Sequence, residues 1–423
     1  MFDGTDAARR GCPRPTDMLR VLGFCEGARV DTGGIGLIGV PLIHQALADH
    51  GHNDVLAIGG QPMPSAHSML HETIGDILDS TRTGHAGVVS FPAIGRWCFS
   101  PALYLAALAG APRADFITLH SMYSFPVLAG YVAAKRFGKP FGLWPHGVFA
   151  PVQREVGRAR KVVYDTMVGR RILDDASVLF YSAEGERDEA RPLGLKAPSV
   201  VIPHGIDARQ FANLPARGAF RQKHMAGHQG PLVLYLGRLN VKKGLDLLVE
   251  SIARVVREIP DVRLAIAGGG HPASFTSKVQ KWVAQAGIQK TTVLTGPLDE
   301  NEKLAAFSDC DVFVLPSAAE NFGFAMFEAM ASGRAVVCSN TMNYAGEVSR
   351  CAAGIVAERT VASFAEAIGQ LLSNSEQRLA MGQNGQRLAR NYSWDTCGRR
   401  VEMTIESILT GQPFPLELKP DGA

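Results

Sequence analysis

The chain has 423 residues, 46% of them hydrophobic and 20% charged, with a formal net charge of +3. That length favours two domains over one, and the apolar content is enough to bury both cores. Charge is near balance on either side of Phe220, so neither half is basic enough to suggest nucleic acid.

Seven cysteines at positions 12, 25, 98, 310, 338, 351 and 397 form no CxxC pair. They read as buried thiols of a reducing compartment, with no metal spacing. The opening MFDGTDAARRGCPRP lacks a signal-peptide apolar core, and no apolar run reaches the ~18–20 residues of a membrane span. The expectation is a cytoplasmic chain, with peripheral contact at the inner face of the plasma membrane left open.

Residues 20–25 predict the first strand. A loop leads to Gly33-Gly34 and a helix to His50, and residues 55–58 form the next strand. Gly34, Gly36 and Gly39 fit the GxGxxG spacing of a dinucleotide-binding turn. Such a turn follows its strand directly, and an acidic residue closes the second strand. Here a loop intervenes and Asp54 precedes the strand, which counts against an NAD-dependent oxidoreductase. Residues 61–110 carry Gly, Pro and Ser punctuation and no legible chemistry. Strands at 115–120 and 140–144 flank a helix at 125–137. The second strand ends in Pro145-His146-Gly147, which makes His146 a candidate site residue. His120 is a weaker candidate, since a lone histidine is more often structural. Residues 151–175 read as one helix bearing Arg154, Arg158, Arg160, Lys161, Arg170 and Arg171. That run suits a solvated face, or contact with an anionic membrane surface or a phosphorylated acceptor. A strand at 177–181, a short helix at 184–190 and a strand at 200–202 follow, before Pro203-His-Gly-Ile-Asp207.

Residues 208–229 are polar and read as an irregular linker. After a strand at 231–236 come Arg238 and Lys242-Lys243-Gly244, then a helix with apolar Leu245, Leu248, Ile252, Val255 and Val256. Arg238 and Lys243 thus lie on a loop leaving a parallel strand, the edge where open α/β sheets bind ligands. Strands at 262–267 and 293–296 and a helix at 301–307 come next. Asp309 and Asp311 form a DxD, but they precede their strand instead of ending it, so no metal site is expected. Residues 312–340 read strand, polar turn, helix, strand: a βαβ unit with a parallel sheet. Glu320 lies on its loop, and Glu328 about two turns into a helix spanning 322–331, capped by Gly333. The amides of Phe322, Gly323 and Phe324 are donors at a helix N-terminus, suited to a phosphate. A helix cap at Glu320 and a solvated face at Glu328 explain the same spacing. Residues 392–395 cap a final helix to 409.

Glu320 and Glu328 within ENFGFAMFEAMASG resemble the paired-glutamate signature of retaining, nucleotide-sugar-dependent glycosyltransferases of family four. GRLNVKKGLDLLVESI resembles that family's GRL…KG element, and Gly33-Gly34 its opening glycine pair. HSMYSFPVLAGYVAAKRFGKPFGLWPHGVFAP resembles its N-terminal domain, and PHGID its IPNGVD segment, with His204 in place of asparagine. The resemblance covers most of 20–410. It implies an α/β fold of two Rossmann-like, doubly wound domains facing across a cleft (GT-B). The expected divisions are an acceptor-side domain 1–212, a linker 213–229, a nucleotide-sugar domain 230–392, a crossing helix 393–410 and a tail 411–423. The implied reaction moves a sugar from a UDP-, GDP- or ADP-sugar to a hydroxyl of a glycan, lipid-linked or small acceptor, as in polysaccharide biosynthesis. Retention of configuration and absence of metal and other cofactors come with it. The resemblance assigns Arg238, Lys243, Gly33 and Gly34 to the donor diphosphate, Glu320 to the sugar hydroxyls and Glu328 to the ribose. His146 would touch the transferred sugar or the acceptor. A nucleotide-sugar epimerase or binder on the same fold stands as the alternative, beside the oxidoreductase.

Overall fold

Short apolar runs, punctuated by glycine and proline, become two all-parallel sheets in the computed structural model. It describes residues 18–26, 35–59, 74, 78, 86–270 and 273–414. The first sheet holds β1 (Arg20–Glu26), β2 (Asn53–Gly59), β3 (Ala86–Phe91), β4 (Phe116–His120), β5 (Phe141–Trp144), β6 (Val178–Tyr181) and β7 (Ser199–Val201). Their order is β3-β2-β1-β4-β5-β6-β7. The second holds β8 (Leu232–Leu236), β9 (Arg263–Ala267), β10 (Thr292–Gly296), β11 (Val312–Leu315), β12 (Ala335–Ser339) and β13 (Gly354–Ala357), in the order β10-β9-β8-β11-β12-β13. Every residue of β4 and β11 is buried, as expected when helices cover both faces of a parallel sheet.

Strand order reverses between β1 and β4 in one sheet and between β8 and β11 in the other. Ligands in such sheets bind outside the carboxyl ends of the strands at these reversals. The loops after β4, β5, β8 and β11 therefore frame the site. Helix Leu245–Glu258, which leaves the β8 loop, buries Leu245, Leu248, Val249, Ile252 and Val255 along one stripe. The final helix, Trp394–Thr410, packs on Ile35–Asp49, where a Cβ on Gly398 would stand 2.7 Å from the Ala46 carbonyl oxygen. Its Cys397, Val401 and Ile405 share an apolar cluster with Leu19, Val21, Ile43, Leu47 and Phe116 of the first domain.

Several local readings change. The basic stretch is not one helix. It breaks into Pro151–Glu155, Arg158–Tyr164, a π turn Asp165–Gly169 and Arg170–Asp175, with Gly157 at φ +69° between the first two. The stretch 208–229 carries a 3-10 turn, Ala208–Phe211, and a helix, Ala219–His224. Its Phe211 and Phe220 sink into the second core. Helix Phe324–Ala331 starts two residues later than expected, so Glu328 sits little more than one turn in. Gly33 and Gly34 lie outside the described residues. Among the described residues, no helix is long and apolar enough to cross a membrane.

Candidate active site

Two loops of the second domain build one wall. After β8, the Asn240 side chain accepts from the Lys242 amide at 3.0 Å, tightening the turn Val241–Lys243. Gly244 follows at φ +64°, and a Cβ there would stand 2.4 Å from the Pro316 carbonyl oxygen. Only glycine satisfies both conditions. The Ala318 amide donates to the Lys242 carbonyl at 2.7 Å. The β8 and β11 loops are thereby held together, and the Lys243 ammonium donates to Glu320 Oε1. Ser317 Oγ donates to the same oxygen at 2.9 Å. Arg238 lies nearby, and its carbonyl accepts from the Tyr235 hydroxyl at 2.8 Å. Burial lowers the Arg238 guanidinium, and Glu320 opposes that shift.

Glu320 does not cap the helix that follows. Gly323 is the N-cap at φ +82°, and no side chain fills the cap position. The amides of Phe322, Gly323 and Phe324 find no acceptor among the described residues, leaving a short row of donors at a helix N-terminus. Beneath them the Phe322 ring stacks on Phe327 at 4.3 Å. Glu328 is held apart from Glu320. Its Oε1 accepts from Lys303 Nζ at 3.0 Å, and that ammonium also lies 3.0 Å from Glu300. Burial raises the Glu328 carboxyl, and Lys303 opposes it.

The first domain supplies the opposite wall. The chain leaves β5 through His146 at φ +53° and Gly147 at φ +78°. The Gly147 amide donates to Glu186 Oε1 at 2.5 Å, and Glu186 Oε2 accepts from the Ser182 amide (2.8 Å) and hydroxyl (2.7 Å). A Cβ on Gly147 would stand 2.7 Å from Asn321 Nδ2. The His146 turn therefore abuts the residue next to Glu320. Rings of Trp144, His146 and His204 stack at 5.8–5.9 Å, and His204 stacks on Phe324 at 5.7 Å. Burial holds His146 well below the usual imidazole range and pushes His204 down to about 3. Burial thus favours the neutral form of both rings.

His146, Arg238, Lys243, Glu320 and the three amides thus converge, while Glu328 lies one helical turn away on its own ion pair. Sequence reasoning offered His120 only as a lone, weaker candidate and missed the buried side-chain chain that it forms behind His146 with His44 and Asp54. No spacing signal marks it, because its members meet only through the fold. Asp309 and Asp311 are taken up by protein donors. Asp309 accepts from the Arg221 amide at 2.9 Å; Asp311 accepts from Arg217 (2.9 Å), Arg221 (3.1 Å) and the Leu232 amide (2.8 Å). Among the described residues, no cluster of three or more His, Cys, Asp or Glu is arranged to hold a metal ion. A separate cavity of about 550 Å³ lies on the first domain, lined by Tyr123, Phe149, Arg154, Arg158, Lys161 and Asp165 among others.

Residues 216–388 match the model of the glycosyl transferases group 1, and residues 42–210 that of glycosyltransferase family 4. A GDP-mannose-dependent α-(1-6)-phosphatidylinositol monomannoside mannosyltransferase from Mycolicibacterium smegmatis is 30% identical over 61% of this chain and 72% of its own length. The chain belongs to the family-four, group 1 type glycosyltransferases. A D-inositol 3-phosphate glycosyltransferase of Kineococcus radiotolerans is 26% identical, over 74% of this chain and 75% of that one. The fold is shared with Anabaena HepE, solved in complex with UDP and glucose, at a TM-score of 0.74 and 17% identity, covering 92% of this chain and all of that one. A sucrose-phosphate synthase from Thermosynechococcus elongatus gives 0.71 and 20%, covering 93% and 100%. As a family-four glycosyltransferase of GT-B architecture, the chain is an enzyme that moves a sugar from a nucleotide-diphosphate sugar to an acceptor hydroxyl.

Proposed function

We propose that Arg238, Lys243 and the Phe322–Phe324 amides receive the donor's diphosphate, with Gly33 and Gly34 approaching it from the first domain. Glu320 and His146 then orient the transferred sugar, and Glu328 binds the ribose. The observation that carries this reading is the Lys243–Glu320 pair beside three amides with no acceptor among the described residues, across from the His146 turn. A diphosphate entering there takes Lys243 as its counter-ion and frees Glu320 for sugar hydroxyls. Breaking the sugar–phosphate bond builds negative charge on the leaving phosphate, and fixed cations stabilise that transition state more than the ground state. With Lys243 drawn to the diphosphate, Glu320 still accepts from Ser317 and serves the sugar hydroxyls, and it is not assigned as a covalent nucleophile. A same-face transfer with retention follows, the leaving phosphate taking the acceptor's proton.

The acceptor is proposed to be a phosphate-bearing or lipid-linked alcohol, its anionic group in the cavity lined by Arg154, Arg158 and Lys161. Val156, Val162, Val163 and Met167 on the same segments are 55–71% exposed, which suits peripheral contact with an anionic membrane. The relatives named above are, by name, a phosphatidylinositol monomannoside mannosyltransferase and a D-inositol 3-phosphate glycosyltransferase.

Arg238→Ala and Lys243→Ala test the diphosphate assignment. Each should keep the fold and lower turnover by ~10²–10³, the cost of one lost oxyanion-type donor. Turnover within a few-fold of wild type in either variant would remove the assignment. A thermal-shift panel of UDP, GDP, ADP and their sugars identifies the base.

A further inference from the structure

Behind His146 a polar track crosses the apolar face of the first sheet, under helix Ile35–Asp49. Asp54 Oδ1 on β2 is hydrogen-bonded to His44 Nδ1; His44 Nε2 lies 2.9 Å from His120 Nε2, and His120 Nδ1 lies 3.1 Å from His146 Nε2. Asp54, His44 and His120 are each no more than 2% exposed. The His44 ring occupies the space that a Cβ on Gly23 would need, 2.2 Å from its Cε1. Buried polar groups that serve only stability close their own hydrogen bonds. This track leaves both ends open, since Asp54 Oδ2 and His146 Nδ1 are buried without a partner among the described residues. Moreover, His146 holds a left-handed backbone that a non-glycine residue rarely adopts, the kind of strain that collects at functional sites.

Each link needs one proton between two nitrogens, so the direction of one N–H fixes all the others. Asp54 sets that direction. Among the described residues, the other titratable group that acts on it is His52. The Leu19 amide donates to His52 Nδ1 at 3.2 Å, so that nitrogen is bare, and Nε2–H donates to Glu402 at 2.8 Å. Hence, among the described residues, no cation outside the track balances Asp54. A buried charge without a partner is disfavoured, so the track holds one extra proton, either on Asp54 or on His44. In both cases His44 Nε2–H points to His120, His120 Nδ1–H points to His146 Nε2, and His146 is left with Nδ1–H as an outward donor.

We propose that Asp54, His44 and His120 are positioning residues for glycosyl transfer: a relay that fixes His146 as an Nδ1–H donor toward the bound sugar. The proposal rests on the reading that His146 touches the sugar. Burial raises the Asp54 carboxyl and holds His120 well below the imidazole range, which agrees with a neutral His120 and the shared proton at the far end. Among the described residues, the remaining titratable groups facing the track are His204, stacked on His146, and Glu186, bound to the Gly147 amide.

Nitrogen-15 NMR of the imidazoles tests the relay independently of activity. The wild-type protein should show His120 and His146 protonated on Nδ1. Protonation of His146 on Nε2 overturns the proposal. Loss of the extra proton at high pH reverses every link and turns His146 Nδ1 into an acceptor, so kcat should fall on an alkaline limb. In Asp54→Asn the amide donates to His44 Nδ1 as a protonated carboxyl does, and that limb should move to higher pH. An unmoved limb counts against the relay. His120→Leu should lower kcat about 10- to 100-fold while leaving affinity for the bare nucleoside diphosphate unchanged; equal losses in both mean a structural role only. If His146→Ala keeps full turnover, the placement of His146 at the sugar fails, and the NMR result still decides the relay.

Discussion

Glu320 and Glu328 differ in what holds them. Lys243 and Ser317 grip Glu320 at the mouth of the β11 loop, whereas Glu328 faces Lys303 on a neighbouring helix. If Glu328 binds the ribose diol, Glu328→Gln should weaken the bare nucleoside diphosphate tenfold or more, since a charge-assisted hydrogen bond contributes roughly 1.5–3 kcal/mol. Glu320→Gln should leave that affinity nearly unchanged and lower turnover of the intact donor. Calorimetry with the bare nucleotide decides between them: a loss confined to Glu320→Gln reverses the assignment, and no change of affinity or turnover in either returns both residues to structural roles. The pair itself was legible in the sequence, because motif and loop travel together in ENFGFAMFEAMASG. Its pairing with Lys243 was not, because that contact depends on Gly244 letting two loops 70-odd residues apart touch. The relay was invisible for the same reason: His44, His120 and His146 are neighbours only once helix Ile35–Asp49 lies on the sheet.

At the scale of elements, apolar strands were readable and charge runs were not. β4, β5, β8 and β11 are short, fully or mostly buried and bounded by turn residues, so composition alone marks them. The basic stretch after Pro151 looked continuous because its charges repeat, but Gly157 in a left-handed conformation and the π turn break it. Arg170 is drawn off to the carbonyls of Leu193 and Gly194 at 2.5 and 2.6 Å. Likewise, the polar stretch before β8 hid a helix whose Arg221 reaches back to Asp309 and Asp311. That network yields a prediction about metal. The two carboxylates already serve Arg217, Arg221 and backbone amides, so turnover should be unchanged by EDTA, and restoration by Mn²⁺ or Mg²⁺ after a loss would contradict this. Asp309→Ala should instead cost stability, on the order of 3–5 kcal/mol for breaking a buried pair, read as a lower Tm. Turnover measured well below that Tm should stay near wild type.

Across the whole molecule, the two sheets are joined by more than a linker. The Ile206 amide donates to the Tyr392 carbonyl at 2.8 Å, and a Cβ on Gly205 would stand 2.2 Å from the Trp394 amide nitrogen. Both chain crossings therefore run side by side, beside the His204–Phe324–Trp394 ring stack. From there, helix Trp394–Thr410 lies on the first domain and closes its core. Of the proposed nucleotide contacts, Arg238, Lys243, the Phe322–Phe324 amides and Glu328 belong to the second domain, and Gly33 and Gly34 alone approach from the first. Stability of the first domain and nucleotide binding should then be separable. Gly398→Ala tests this, because the added methyl would meet the Ala46 carbonyl carbon at 2.8 Å and its oxygen at 2.7 Å. Backbone cannot yield as a side chain does, so the helices must part, at a cost of about 1–3 kcal/mol for overpacking. For a domain of this size, that is a Tm shift of roughly 2–4 °C per kcal/mol. The expected result is an earlier transition, together with faster hydrogen exchange in helices Ile35–Asp49 and Trp394–Thr410. Nucleoside diphosphate affinity, measured at a temperature where both domains are folded, should equal that of wild type. An equal fall in affinity would mean that the crossing helix supports the nucleotide site as well as the first core.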